Sequence, residues 1–323
     1  MTDRRFSLCK KRRNTVAQDL SFEMPDGTWF ITTKTIASLL WLVNNAVLEE
    51  KALAYLAKYQ EKYGVILYAC IFMGNHWHIE GKFPNGNKTA FLRSFNSMFA
   101  RLVAKHVKEF HGGRLWGRRA RAQLLPENAD VEHSALYIAL NPVSSGLTQK
   151  YTEYKGYNSF SDAICGRARE FDLVDWTDYN NKRRKCKNLK IQDFTTTCTL
   201  TYTRLPGYEN LSQKDYRLLM LKKIEERRQE VIAKRVAEGK GFAGVEALEA
   251  TKPGDAPRST KKSDRNTKRP LVLTLNPEAR AIYVEMYFSL LAAYKEASRR
   301  FRSGELDVPF PPGTHRPPLF CPC

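Results

Sequence analysis

Phe72-Met73-Gly74-Asn75-His76-Trp77-His78-Ile79 decides how this chain of 323 residues is read. The run before it, Val65 to Phe72, is apolar and partly β-branched, the pattern of a buried strand. Gly74-Asn75 signals a turn, so a second strand begins at His76. Side chains alternate along a strand, which puts His76 and His78 on one face and Trp77 on the other. Two imidazoles on one face are half of a metal site. The same pattern also fits two half-buried histidines without a ligand. The chain has six histidines, and two of them stand here.

Outward from this hairpin the pattern is regular. Gly27 to Thr33 is aromatic and β-branched, a first strand, followed by Lys34. Val43 to Tyr63 has helical spacing and ends at Gly64. Pro84 to Asn87 is a turn, and Thr89 to Phe110 is a long amphipathic helix. Arg114 to Ala122 mixes arginines with Trp116, and Ala122 to Leu125 reads as a fourth strand. Arginines bind phosphate oxygens; the indole of Trp116 either stacks a base or anchors the core. Asp130 to Asn141 is a further helix closed by Pro142. On it His133, Tyr137 and Asn141, spaced by four, share a face. A tyrosine and an amide projecting together are either a nucleophile with a third ligand or ordinary packing. The order strand, helix, strand, strand, helix, strand, helix predicts an α+β chain with the split β-α-β pattern of a ferredoxin-like fold and one added helix.

Three motifs in this order resemble a known family. Met73-Gly74-Asn75-His76-Trp77-His78 is similar to the M-P-N-H-x-H motif of single-tyrosine HUH transposases. Gly113-Arg114-Leu115-Trp116-Gly117-Arg118-Arg119 is similar to their G-x-L-W-x-x-R segment, and Tyr137-Ile138-Ala139-Leu140-Asn141-Pro142-Val143 to their Y-I-x-x-N-P-V motif. Within that family the resemblance points to the REP-associated tyrosine transposases. The resemblance spans roughly residues 24–165. It departs at Gly74, where the family has proline, at Lys34, where it has arginine, and in the long C-terminal extension.

The resemblance implies a ferredoxin-like HUH endonuclease domain with an antiparallel sheet. It implies Tyr137 as nucleophile and a divalent cation, Mg²⁺ or Mn²⁺, held by His76, His78 and Asn141, with His133 the alternative third ligand or a proton carrier. It further implies cleavage and rejoining of single-stranded DNA near hairpins through a 5′-phosphotyrosine. Lys34, Arg114, Trp116, Arg118, Arg119 and Arg121, with Arg12 and Arg13 of the N-terminal arm, are the expected DNA contacts. Two other classes stay open: a catalytically silent hairpin-binding relative, and a replication-initiator-type nickase. Initiators often carry a helicase, and no G-x-x-x-x-G-K-[ST] loop for a nucleotide cofactor occurs here.

Composition agrees with a polyanionic partner: the net charge is +19 and the pI near 9.6. No apolar run approaches the roughly 18 residues needed to span a bilayer, and the N-terminus lacks an apolar signal core, so the chain is expected in the cytoplasm, with the nucleoid. Seven scattered cysteines without C-x-x-C pairs argue against a disulfide framework or a structural zinc site. The expected layout is a basic arm (1–22), the catalytic domain (23–165), a basic helical extension (166–250), a linker (251–269), and a C-terminal helix with a proline-rich tail (270–323). Within the extension, 166–210 reads as irregular with a basic knot at Lys182 to Lys185. Leu211 to Gly239 reads as a charged helix whose apolar positions, among them Leu218, Ile224 and Val236, form a packing face or the face of a homodimer. The extension is expected to add affinity and no chemistry: a chain ending near residue 165 should keep cutting DNA and bind it more weakly, provided the aromatic cluster from Tyr151 to Phe160 closes the core; the alternative is that the helices at 211–239 and 277–301 pack on the catalytic domain and are needed for folding.

Overall fold

The computed structural model describes residues 20–186, 188–257 and 271–318. Arg12, Arg13, most of the expected linker and the terminal Cys321-Pro322-Cys323 lie outside them.

The elements run β1 (Thr28–Lys34), α1 (Ala46–Tyr63), β2 (Ile66–Met73), β3 (His76–Lys82), α2 (Lys88–His106), β4 (Arg121–Leu125), α3 (Asn128–Ala139), α4 (Asn141–Ser144), α5 (Phe160–Cys165), β5 (Arg169–Val174), α6 (Trp176–Arg183), β6 (Thr195–Leu200), α7 (Gln213–Ala237), α8 (Val245–Glu249) and α9 (Pro277–Arg302). Strands β1 to β4 form one antiparallel sheet in the order β2-β3-β1-β4.

Several boundaries move for local reasons. Helix α1 starts at Ala46 rather than Val43, because the Asn45 side chain accepts the Leu48 N–H at 2.9 Å and caps it. It ends as expected, with Gly64 in the left-handed region at φ 62°. Helix α2 stops at His106 instead of Phe110. The chain turns there and seats Val107 and Phe110 inward, Phe110 edge-on to Trp41 at 5.1 Å. Gly74 makes the hairpin turn, and a Cβ there would lie 2.7 Å from Val43 Cγ1 and 3.0 Å from Leu40 Cδ2. Those two side chains fill the space a larger residue would need.

The two faces of the sheet carry different layers. Trp77 and Phe72 face α2, with Trp77 5.5 Å from Phe95 and Phe72 5.4 Å from Phe99. Phe30, Ala69, Ile71 and Met73 face the other way and share a core with Val131, Ala135 and Ile138 of α3.

The extension is part of that second core. Tyr216, Met220 and Ile224, spaced by four along α7, are each 2 % exposed or less and pack into the same cluster as Phe30 and Ile71. Of the apolar positions expected to pack, Ile224 is buried, whereas Leu218 (56 %) and Val236 (68 %) are exposed. The stretch expected to be irregular contains a two-stranded antiparallel sheet, β5 with β6. Gln60 of α1 anchors the chain after β6, its Nε2 donating to the Thr201 carbonyl at 2.8 Å and its Oε1 accepting from Thr201 N–H at 3.0 Å. Tyr157 donates to the Tyr202 hydroxyl at 2.9 Å in a buried pair. Residues 271–273 run beside β4 as a single bridge, with Leu273 N–H donating to the Leu124 carbonyl.

The described residues of 24–284 therefore form one compact unit that crosses the boundaries expected after 165 and after 250. A second unit gathers the described parts of 1–23 and 285–323. In it Phe22 pairs with Thr314 and lies 6.3 Å from the Tyr287 ring, while Ala297, Phe301 and Val308 form a small core. No helix among the described residues is long and apolar enough to cross a membrane.

Candidate active site

Register places the site. Across β4, β1 and β3, Arg121, Thr32 and His78 stand in one row; Lys34 and His76 stand in the next, toward the hairpin turn. Cross-strand partners share a face, so all five belong to the face that α3 covers. His76 and His78 have ring centroids 4.8 Å apart. Phe30 stacks on His78 at 4.9 Å, and the Tyr137 ring, delivered by α3, stands edge-on to both Phe30 and His78 at 6.0 Å.

Each imidazole is held by a neighbour at Nδ1. Thr32 Oγ1 lies 2.8 Å from His78 Nδ1, and Asn75 Oδ1 lies 2.7 Å from His76 Nδ1. Such a partner fixes the ring plane and leaves Nε2 as the ligand atom. Neither Thr32 nor Asn75 was singled out from sequence as a contact of the pair.

Asn141 links the histidines to the tyrosine. It is 3 % exposed; its side chain acts on both the His76 ring, whose pKa it raises, and the Tyr137 hydroxyl, whose pKa it lowers, and its Oδ1 accepts from the Ser145 hydroxyl at 3.3 Å. Helix α3 breaks at Leu140 and Pro142 opens α4, so Asn141 begins a new helix instead of ending the old one. Tyr137 is 45 % exposed, and its hydroxyl is near enough to this buried amide for Asn141 to lower its pKa. His133, one turn earlier, lies instead among Arg227, Asp130 and Glu230.

Charge in the site is set by burial. His76 is lowered to about 4 by burial and by Lys34 across the sheet, partly offset by Asn141. His78 is held well below its ordinary value by burial and by His76. Both rings are therefore neutral at pH 7, the form that ligates a cation. Burial raises the Tyr137 hydroxyl, and the nearby Asn141 side chain works against it. Two imidazoles and an amide oxygen with an edge open to substrate suit a divalent cation. Among the described residues, no group of three or more His, Cys, Asp or Glu side chains could hold a metal ion, so any such site must include Asn141 or another neutral donor.

The other expected contacts divide. Arg114, Arg118 and Arg119 are exposed, as is Lys34. Trp116 is seated: its ring is edge-on to Phe99 at 5.5 Å, and its N–H donates to the Asn96 carbonyl at 2.8 Å. That geometry is the core anchor rather than a base-stacking platform.

Glu80 continues the face of His76 and His78 by two residues. It is fully buried, and both its oxygens lack a hydrogen-bond partner; the Ser134 hydroxyl of α3 faces it without closing to one. Burial raises its carboxyl well above the ordinary range, so it is protonated when folded. The folded chain then holds a proton that the unfolded chain loses near pH 4.5, and stability falls as pH rises past that point. Glu80→Gln is expected to match wild type in acid and to gain on it as pH rises above that value, by at most about 1.4 kcal/mol per pH unit and only until the folded carboxyl itself titrates. Urea denaturation of both proteins across pH 4.5 to 7.5 reads the difference; a gap that does not change with pH contradicts it.

Comparison with known proteins is sparse. No protein-family model matches the chain, and no curated protein matches it. Among solved structures, the chain is similar to a REP-associated tyrosine transposase bound to a REP hairpin, at 19 % identity and TM-score 0.38, covering 45 % of this chain and 83 % of that one. It is also similar to a tRNA(His) guanylyltransferase from Saccharomyces cerevisiae, at 12 % identity and TM-score 0.30, covering 55 % of this chain and 79 % of that one.

Proposed function

We propose that this chain is a single-tyrosine nuclease and strand transferase acting on single-stranded DNA beside hairpins, with Tyr137 as nucleophile. The observation that carries the reading is the ring cluster: the His76 and His78 centroids lie 4.8 Å apart and the Tyr137 ring stands edge-on to His78 at 6.0 Å, with the buried Asn141 side chain acting on both His76 and the Tyr137 hydroxyl. The sheet order β2-β3-β1-β4, with the histidines on a central strand, supports assigning a ferredoxin-like HUH domain.

His76, His78 and Asn141 would hold Mg²⁺ or Mn²⁺. When bound, the ion supplies a Lewis acid for the non-bridging oxygens of a phosphodiester. Lys34, one strand away from the pair, and Arg121, two strands away, orient the same phosphate. The Tyr137 oxygen attacks phosphorus; the bond from phosphorus to the 3′ oxygen breaks, and that oxygen takes up the proton the phenol gives to water. The product is a 5′-phosphotyrosine and a free 3′-hydroxyl. Attack by another 3′-hydroxyl reverses the step, so rejoining needs no nucleotide.

A denaturing gel with labelled hairpin DNA carrying a single-stranded flank tests this. Wild type is expected to give a protein–DNA adduct that chelator abolishes and Mn²⁺ restores; cutting in excess chelator contradicts the metal. Thr32→Val removes the partner of His78 Nδ1 at nearly constant volume. It is expected to weaken Mn²⁺ binding about 10- to 100-fold in calorimetry, with melting little changed.

A further inference from the structure

The sheet face opposite the histidines carries a second feature that this chemistry does not use. Helices α1 and α2 pack side by side on the Trp77 face. Along their outer seam Tyr55, Tyr59 and Tyr63, spaced by four on α1, form a row of half-buried rings with centroids 6.1 Å apart at each step. Successive rings are tilted by 33° and 41°, closer to a stack than to an edge-on pair.

Cations border the row. Lys62 lies over the Tyr63 ring at 5.3 Å, and Arg101 of α2 acts on the hydroxyls of both Tyr55 and Tyr59. Arg101 is exposed and donates to Ser97, and the Tyr63 hydroxyl pairs with Ser94 at 2.7 Å. The nearby acids are engaged elsewhere. Glu49 accepts from Tyr157 N–H at 2.7 Å and Glu61 from Thr199 N–H at 2.6 Å. Asp175, close to Tyr55, accepts the Thr177 and Asp178 N–H groups at the start of α6.

We infer that this seam is a binding track for single-stranded DNA, with bases on the tyrosine rings and phosphates on Lys62 and Arg101. The argument is charge complementarity joined to ring geometry. A row of π-faces rimmed by cations is the arrangement that holds an unpaired strand. A duplex does not fit it: its bases stack on one another at about 3.4 Å per step and present no free faces to rings 6.1 Å apart. The choice of DNA rests on the function proposed above; the choice of a single strand rests on the seam alone. The track would grip a strand on the side of the sheet away from Tyr137, so that binding and cutting occupy separate surfaces.

Fluorescence anisotropy of a labelled oligothymidylate on the full-length protein tests this. Tyr59→Leu, which keeps an apolar side chain of similar bulk, is expected to bind about tenfold more weakly. The double variant Lys62→Glu with Arg101→Glu changes only exposed groups, so it folds even if Tyr59→Leu does not. It is expected to lower the slope of log K against log salt by about 1.4, some 0.7 for each lost phosphate contact. Hairpin adduct formation at saturating DNA, measured on the same proteins, should be unchanged. Unchanged oligothymidylate affinity in either folded variant overturns the track. Weakened binding by both variants, with no adduct from any protein including wild type, upholds the track and refutes the proposed chemistry instead.

Discussion

Tyr137→Phe is expected to abolish adduct formation while leaving the fold and DNA affinity in place. The substitution removes one oxygen and keeps the ring that stands 6.0 Å from both Phe30 and His78. Tyr137 is 45 % exposed, so the stability change should stay within about 0.5 kcal/mol. The loss of chemistry should be far larger, roughly a millionfold, the scale seen when a covalent nucleophile is deleted from an enzyme that depends on it. Affinity should hold because the cations proposed to grip the DNA, among them Lys34, Arg118 and Arg119, are not touched by the substitution. A gel for adduct and an anisotropy titration, run together, separate the two. An adduct formed by the Phe variant would move the nucleophile elsewhere.

A chain ended at residue 165 is expected not to fold. This reverses the expectation drawn from sequence, in which the extension adds affinity and leaves the chemistry intact. Truncation removes Tyr216, Met220 and Ile224 from the core that backs α3 and β2. Burial of such side chains is worth about 1.5 to 3 kcal/mol each, so these three alone approach the 5 to 15 kcal/mol by which a typical domain is stable. It also removes Thr201 and Tyr202, leaving the Gln60 amide and the Tyr157 hydroxyl without those partners. Helix α3 loses a further hold: Lys223 of α7 pairs with Glu132 at 2.7 Å, five residues before Tyr137. Calorimetry of the truncated chain should show no cooperative transition. A cooperative melt together with DNA cutting would restore the catalytic domain as an independent unit.

The contrast between these two predictions follows what a sequence can carry. The hairpin, the shared face of His76 and His78, and the helix bearing Tyr137 were legible because periods of two and of four are local. Thr32 and Asn75 were not legible as partners of the imidazoles. Thr32 meets His78 through strand register, across 46 residues of chain, and Asn75 reads as a turn residue until the His76 ring is seen beside it. The buried stripe of α7 was hidden for a different reason. Leu218 and Val236 are as apolar as Ile224, and only the neighbouring core decides which of them is covered. Strands β5 and β6 are short and set among charged loops, so the alternation in Arg169–Val174 and the threonines of Thr195–Leu200 gave too little signal to stand out. Trp116 carried two readings in the sequence, and its hydrogen bond to Asn96 favours the anchor.

In the proposed chemistry Tyr137, and no other tyrosine, is the group that meets the phosphate. The direct measurement is peptide mapping by mass spectrometry of the adduct trapped with Mn²⁺ and a hairpin bearing a single-stranded flank. The expected result is one modified peptide, containing Tyr137, with the nucleotide attached through its 5′ phosphate. A modification on any other residue, or cleaved DNA with a free 5′ phosphate and no adduct, would contradict the assignment.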